Sequence, residues 1–294
     1  MGYSSWESTR SAYSSYTDTI ATKSTREVFT ASRMKDYMNP TGVLVRESRD
    51  SDQNPNSTAI ILGLDVTGSM GIIADKMARE GLGTLVEGIL DRKPVTDPQI
   101  CVMGIGDVFC DRAPLQVTQF EVDIRIAEQL SDIYLEGGGG GNGFESYDLP
   151  WYFAANRTEI DCFEKRGKKG YLFTIGDEPP APDGLTRRDI KKVFGNDDQQ
   201  DYSASELLEQ AERKYNVFHV IVEQGNHARR DLPNVKAQWR ELLGGRAILL
   251  SNYNYISEVI LAVMEVSEGA DPNDVIASFE NKDLKEVVRH ALID

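Results

Sequence analysis

The sequence has little cysteine, with only three in 294 residues. Cys101, Cys110 and Cys162 form no CxxC pair, and Cys101 lies in an apolar, strand-like run where a buried free thiol is common. This pattern predicts a reducing compartment and no structural disulfide.

Histidine is equally scarce, and its spacing predicts no zinc site. His219, His227 and His290 lie too far apart for a zinc-ligand motif. His219 falls inside an apolar strand pattern, which is typical of a packed core residue. No His or Cys occupies a position that predicts a catalytic base or nucleophile.

Basic charge and long apolar runs are also limited. There are 32 Lys and Arg residues against 47 Asp and Glu residues, a net charge of −15. Such acidity repels nucleic-acid phosphates and anionic lipids, so we expect no nucleic-acid or membrane partner. No apolar stretch approaches the roughly 18 residues that a membrane span needs, and the polar N-terminus has no signal-peptide pattern. We therefore expect a soluble, cytoplasmic protein.

Both ends of the chain differ from its centre. Residues 1–25 are rich in Ser, Thr and Tyr and show no helix or strand period, which predicts a flexible or extended tail, with ordering on a partner as the alternative. Residues 26–57 read as an irregular extension with a short edge strand near Val43. Residues 268–294 predict a helical extension whose apolar stripe packs on the main domain or, alternatively, docks another subunit. Self-association through either extension stays open.

The central residues 58–267 alternate short apolar runs with helical patterns. Continuously apolar runs such as AIILGL (residues 59–64) predict strands buried on both faces. The alternation predicts an α/β domain: a doubly wound, mostly parallel, Rossmann-like sheet with helices on both faces. Residues 115–120 alternate and predict one antiparallel edge strand. In such sheets ligands bind beyond the carboxyl ends of the strands, near the point where the strand order reverses.

Oxygen-bearing side chains follow two of these apolar runs. Asp65, Thr67 and Ser69 come directly after the first, at alternate positions that can turn their oxygens to one side. Asp177 follows a later one. Carboxylate and hydroxyl oxygens suit Mg²⁺, Mn²⁺ or Ca²⁺. Helix capping would explain one or two of the first three residues, but not a second carboxylate at a neighbouring strand end.

A glycine loop lies between these two segments and offers further ligands. Residues 137–141 are all glycine, and Asn142, Glu145 and Ser146 follow them. The glycines permit positive φ angles, so the loop can fold tightly over the first segment. Helix capping by Glu145 is the alternative.

Three segments resemble the motifs of von Willebrand factor A domains. IILGLDVTGSMG (residues 60–71) is similar to the Asp-x-Ser-x-Ser motif, with Thr67 in place of the first Ser. LFTIGDEPP (residues 172–180) is similar to the last motif, which supplies an Asp. GGNGFES (residues 140–146) resembles the Gly-Gly-Gly-Asp-x-Pro-Glu loop of A domains attached to alpha-kinases and the Asp-x-Pro-Glu loop of integrin β-subunits, with Phe144 replacing Pro.

The resemblance, which covers roughly residues 58–267, implies a metal-ion-dependent adhesion site. Its implied metal ligands are Asp65, Thr67, Ser69, Glu145 and Asp177. Asn142 and Ser146 would support the loop behind them. The resemblance further implies that one coordination position of Mg²⁺ (or Mn²⁺ or Ca²⁺) stays open for an Asp or Glu of a protein partner.

Two other classes of function compete with a binding module. A metal-dependent hydrolase or phosphotransferase is disfavoured because Thr67 stands where an Asp-x-Asp enzyme needs its second Asp, and no phosphate-loop lysine follows the glycines. A phage or prophage assembly component is suggested by the polar N-terminal region through RESRDS, which is similar to uncharacterised A-domain proteins of bacterial and phage genomes. We expect a cation-dependent binding module without catalytic activity.

Overall fold

The computed structural model describes residues 6–137, 143–196 and 200–294, apart from the side chains of residues 6–10 and of Ser69. Its strands are β1 (Arg46–Ser48), β2 (Thr58–Asp65), β3 (Pro98–Ile105), β4 (Leu115–Val117), β5 (Thr158–Ile160), β6 (Gly170–Gly176), β7 (Tyr215–Val222) and β8 (Ala247–Leu250). The larger sheet has the order β4-β3-β2-β6-β7-β8, and β3–β4 is its one antiparallel pair in the described chain. The predicted mostly parallel sheet with one antiparallel edge strand is confirmed.

Strand β2 shows why the sheet lies between two helical layers. All eight of its residues are buried. Ile60, Leu62 and Leu64 point into one hydrophobic core, and Ala59 and Ile61 point into the other. Because successive side chains of a strand face opposite ways, a continuously apolar strand needs cover on both faces.

Helices supply that cover. They are α1 (Trp6–Ile20), α2 (Thr25–Val28), α3 (Gly71–Lys76), α4 (Leu82–Arg92), α5 (Arg125–Ser131), α6 (Asp148–Asn156), α7 (Asp161–Glu164), α8 (Arg187–Phe194), α9 (Ala204–Glu212), α10 (Ala228–Leu243), α11 (Ile256–Ser267), α12 (Pro272–Ser278) and α13 (Lys282–Ile293). Helices α1–α5 and α11–α13 cover one face, and α6–α10 cover the other. A π-helical turn joins α3 to α4. Within the described residues, none of these helices is both long and apolar enough to cross a membrane.

The N-terminal segment differs from its prediction. The expectation of a flexible or extended tail is wrong for Trp6–Ile20, which form helix α1. Tyr13 and Ile20 are buried against the domain, and the Tyr16 hydroxyl donates a hydrogen bond to the Ala127 carbonyl oxygen (3.3 Å). These three side chains have the spacing i, i+3, i+7 of one helix face. The many Ser and Thr residues between them hide that pattern.

The other two extensions pack on the domain as well. The strand expected near Val43 lies slightly later, at β1, and pairs in parallel with β5 in a separate two-stranded sheet. The apolar stripe of α13 lies in the core on the α11 side, with Val287 and Val288 buried. The stripe therefore packs on the main domain.

Candidate metal centre

The candidate centre lies at the carboxyl ends of two neighbouring strands. Asp65 is the last residue of β2, and Asp177 follows β6 directly. From β2 the chain crosses to β3 on one side, whereas β6 lies on the other side, so the strand order reverses here. This is the position at which open α/β sheets bind their ligands.

Asp65 is held in place by three hydrogen bonds. Its side chain is buried, with 1% exposed. Oδ1 accepts hydrogen bonds from the backbone N–H of Thr67 (2.9 Å) and from its hydroxyl (2.8 Å). Oδ2 accepts one from the Tyr147 hydroxyl (3.0 Å). The tight Asp-x-Thr turn therefore results from the carboxylate binding the residue two positions later.

Glu145 reaches the same hydroxyl from the glycine loop. Thr67 Oγ1 lies 3.0 Å from Glu145 Oε1, across 78 residues of sequence. Since a hydroxyl carries one proton, it cannot donate fully to Asp65 and Glu145 at once. Glu145 Oε2 is buried and has no hydrogen-bond partner in the described chain. The loop therefore places the buried Glu145 carboxylate next to Asp65, and one oxygen of that carboxylate accepts no hydrogen bond from the described residues.

Asp177 is fixed by the loop after β7. Its Oδ2 accepts a hydrogen bond from the backbone N–H of His227 (2.7 Å). Gly225 lies so close that a Cβ there would stand 2.2 Å from the Asp177 Cβ. Gly176 meets Tyr147 in the same way, with a Cβ only 1.9 Å from the tyrosine hydroxyl oxygen. Only glycine permits these two approaches.

Burial raises the pKa of four carboxyl groups at the centre, and repulsion by a neighbouring carboxylate adds to the effect at three of them. Burial raises the pKa of Asp65 to about 7, and the charge of Asp177 adds to the effect against the hydrogen bonds from Thr67. Burial, then the charges of Asp65 and Glu178, raise the pKa of Glu145 to about 10. Burial raises the pKa of Glu178 to about 7 and that of Asp177 as well.

The described part of the chain gives the carboxylates of this centre no lysine or arginine partner. Within the described residues, neither Lys nor Arg forms an ion pair with Asp65, Glu145, Asp177 or Glu178. Buried charges in proteins are ordinarily paired or bound to a metal. The carboxyl groups must therefore take up protons or meet a cation.

Several contributors were not anticipated from the sequence. Tyr147, Glu178 and the buried Asp107 lie at the centre, and so does His227, to which the sequence pattern assigned no role there. His227 Nδ1 is 3.8 Å from Glu178 Oε1, in addition to its backbone bond to Asp177. Proximity in sequence to a predicted ligand could have identified only two of these residues: Tyr147, which lies two residues after Glu145, and Glu178, which is next to Asp177. His227 follows a different strand.

The remaining predicted residues have separate outcomes. Ser146 is buried, and its Oγ accepts a hydrogen bond from the backbone N–H of Val108 (3.0 Å). It therefore ties the glycine loop to the loop after β3. The Ser69 side chain and all of Asn142 lie outside the described part of the chain.

The donor set is compatible with a hard divalent cation. No group of three or more His, Cys, Asp or Glu side chains in the described residues has the arrangement of a metal cage. The centre instead combines carboxylates with a hydroxyl. All its donors are oxygens, as Mg²⁺ requires, and Glu145 Oε2 is a buried acceptor without a donor. These residues fit Mg²⁺ better than a softer metal.

No family model matches the chain, and no curated protein matches it. Among solved structures, similarity is found to the pilus adhesin SpaC from Lactobacillus rhamnosus GG in its open conformation, with 9% identity and a TM-score of 0.47 over 80% of this chain. A second structure of the same adhesin has 11% identity and a TM-score of 0.47 over 79%. The matches extend over 31% and 32% of the adhesin, so this chain spans about a third of its length.

Proposed function

We propose that this chain is a von Willebrand factor A-type domain whose adhesion site holds Mg²⁺, or Mn²⁺ or Ca²⁺ in its place, and binds a carboxylate of a protein partner. The observation that carries the proposal is that the carboxylates of Asp65 and Glu145 both contact the hydroxyl of Thr67. The other oxygen of Glu145 is buried and accepts no hydrogen bond from the described residues. A cation would neutralise both carboxylates and supply the missing partner.

Each residue has a defined part in this proposal. Asp65, Thr67, Ser69, Glu145 and Asp177 would hold the ion. The ion supplies a positive charge that can accept an external carboxylate. The hydroxyl of Tyr147 and the backbone N–H of His227 each occupy one carboxylate oxygen and so orient Asp65 and Asp177. In a chain of net charge −15, an acidic partner segment would otherwise be repelled.

We also place this binding in the cytoplasm. Cys101, Cys110 and Cys162 are all free thiols. Cys110 is exposed, and an exposed free thiol is most compatible with a reducing compartment.

Metal-dependent hydrolysis is a second candidate, and one observation favours it. The partly exposed ring of His227 lies beside the centre, near Glu178. A histidine next to a bound metal could accept a proton from water. Turnover of phosphate esters or peptides that requires Mg²⁺ and is lost in both Asp65→Ala and His227→Ala would establish an enzyme. We expect no turnover above background.

The binding proposal is tested by affinity capture with the whole chain as bait. Proteins retained in Mg²⁺ should be released by EDTA and should not be retained by Asp65→Ala. Asp91→Ala, which removes an acidic residue of α4, is the matched control and should behave as the wild type. A calorimetric Mg²⁺ titration of the same variants measures their Mg²⁺ affinity separately from partner binding. Retention that neither EDTA nor Asp65→Ala reduces would refute the proposal.

A further inference from the structure

A cavity of about 570 Å³ opens beside the candidate metal centre. Val66 and Gly68, which flank Thr67 in sequence, form part of its lining. Its large apolar lining residues are Phe29, Val66, Ile72 and Leu135. We name it the Ile72 cavity. Because the Thr67 segment borders both, the cavity lies next to the centre.

Exposed apolar side chains flank the centre on two sides. Ile72, just after the Thr67 segment, is 47% exposed, and Phe109, in the loop after β3, is 59% exposed. The Phe109 ring contacts that of Phe144 edge to face, with 5.9 Å between centroids. Phe144 precedes Glu145 directly. Exposed apolar groups around a polar centre are typical of interaction sites.

One basic residue lines the same cavity. Arg26 is exposed and forms no ion pair with any described residue. Most of the molecule repels acidic groups, since the net charge is −15. A free guanidinium next to a bound cation would therefore make this region the attractive one for an acidic segment.

Part of the cavity wall comes from the N-terminal extension. Thr25, Arg26, Phe29 and Ala31 line the cavity from that side. The Phe29 side chain is buried, and Glu27 closes a capping box with Ser24 that fixes the start of α2. The cavity is thus formed jointly by the extension and the sheet domain.

We propose that the Ile72 cavity selects the partner of the carboxylate-binding site. The partner is an acidic peptide segment in which the metal-binding Asp or Glu has a large aliphatic neighbour. The aliphatic side chain enters the cavity between Phe29 and Ile72, and a further acidic group of the segment faces Arg26. This inference rests on the proposed function and adds to it the chemistry of the ligand.

Two synthetic peptides test the inference on the full chain. The unflanked probe is acetyl-Gly-Gly-Asp-Gly-Gly-amide, and the flanked probe is acetyl-Gly-Leu-Asp-Leu-Gly-amide. In NMR titrations with millimolar MgCl₂ the flanked probe should bind about tenfold more tightly, because one leucine side chain leaves water. Ile72→Ser should remove this preference and leave the affinity for the unflanked probe unchanged. Arg26→Ala should weaken the binding of a flanked probe that carries a second Asp.

Leu44→Ser is the matched control, since Leu44 is 80% exposed and does not line the cavity. It should keep the full preference for the flanked probe. Equal Mg²⁺-dependent binding of both probes would overturn this inference while the proposed function stood. A preference that survives Ile72→Ser would overturn it too. Binding of neither probe in MgCl₂ would count against both proposals.

Discussion

Two carboxylate clusters of this molecule have opposite electrostatic environments. In the first, Asp161 binds Arg49 (3.0 Å) and Lys165 (2.6 Å), and Asp50 binds Arg166 (2.7 Å). Burial alone would raise the pKa of Asp50 and Asp161, but these basic partners and nearby N–H and O–H donors lower both. We call this group the Arg49 cluster.

The second cluster is the candidate metal centre, where the same physics has the opposite outcome. Burial and neighbouring carboxylates raise the pKa of Asp65 and Glu145, because no basic side chain of the described chain compensates them. The Arg49 cluster shows that this fold can supply basic partners to buried acids. The contrast supports an external cation at the strand ends, and the following substitutions test that contrast.

The largest expected difference is between Asp65→Ala and Asp161→Ala. Asp65→Ala removes a proposed metal ligand, so we expect Mg²⁺ affinity to fall at least about 100-fold. In the wild type, Mg²⁺ at about 100 times its Kd should raise the melting temperature by about 5 to 10 °C. Asp161→Ala should melt earlier in EDTA but keep that rise. Differential scanning calorimetry with and without Mg²⁺ measures both. Loss of the rise in both variants would remove the distinction between the clusters.

Glu145→Gln should separate metal affinity from stability. Because its pKa is raised, the Glu145 carboxyl group must take up a proton when the chain folds in EDTA at neutral pH, and the neutral amide of Gln does not. We therefore expect a gain of about 1 to 3 kcal/mol in the free energy of unfolding. Mg²⁺ affinity should fall about tenfold or more, since an amide is the weaker ligand. Urea unfolding and calorimetric titration report the two effects.

Two further substitutions complete the Glu145 test. Glu128→Gln, on the exposed face of α5, should change neither quantity. Asn142→Ala should weaken Mg²⁺ only mildly. If Asn142→Ala proved worse than Glu145→Gln, the middle ligand would be Asn142 or Ser146 instead.

Gly225→Ala tests whether the approach of the β7 loop positions Asp177. The new Cβ would overlap the Asp177 Cβ at 2.2 Å, so the loop or the carboxylate must move. We expect a loss of about 1 to 3 kcal/mol in stability and, since a small displacement of a ligand is costly, about tenfold weaker Mg²⁺ binding. Gly245→Ala, which meets nothing within 4 Å, should be silent in both measurements. Unchanged metal affinity in Gly225→Ala would argue against Asp177 as a ligand.

Asp50→Asn should have the smallest effect and none on the metal. The Asp50 pKa is lowered in the folded state, so its ion pair stabilises the protein above the pKa of the unfolded chain, near 4. That contribution is lost as pH falls through the folded-state pKa. We expect Asp50→Asn to cost about 1 kcal/mol at pH 7 and progressively less at lower pH, by urea unfolding. A difference that grows on acidification would contradict this assignment.

Sequence patterns predicted those features that depend on local order. The buried strands and the antiparallel edge strand are read from short windows of sequence, and they are found as predicted. Helix α6 was not anticipated, because seven of its nine residues are buried and an all-round apolar helix has no amphipathic period. Helix α1 was missed for the opposite reason, since only a few apolar residues mark its face.

The residues of the site also separate into those that local sequence order predicts and those that it does not. Asp65 ends a strand and Thr67 and Asp177 follow strands, so their convergence could be predicted from topology. The contacts of Tyr147 and His227 depend on how α6 and the β7 loop pack. Gly176 and Gly225 permit that packing because they have no side chain, but a glycine in the sequence does not show which residue lies against it. No spacing rule encodes such contacts.

The strand order of the main sheet has a consequence for synthesis on the ribosome. The central strand β2 pairs with β6, whose first paired residue, Tyr171, lies 111 positions after its partner Ile60 (171 − 60). Until that segment has emerged, one edge of a strand that is fully buried in the native fold stays open in the nascent chain. Such edges favour association with other chains, and distant strand pairing is slow. We therefore expect efficient refolding only at low protein concentration, with chaperones raising the yield in the cell.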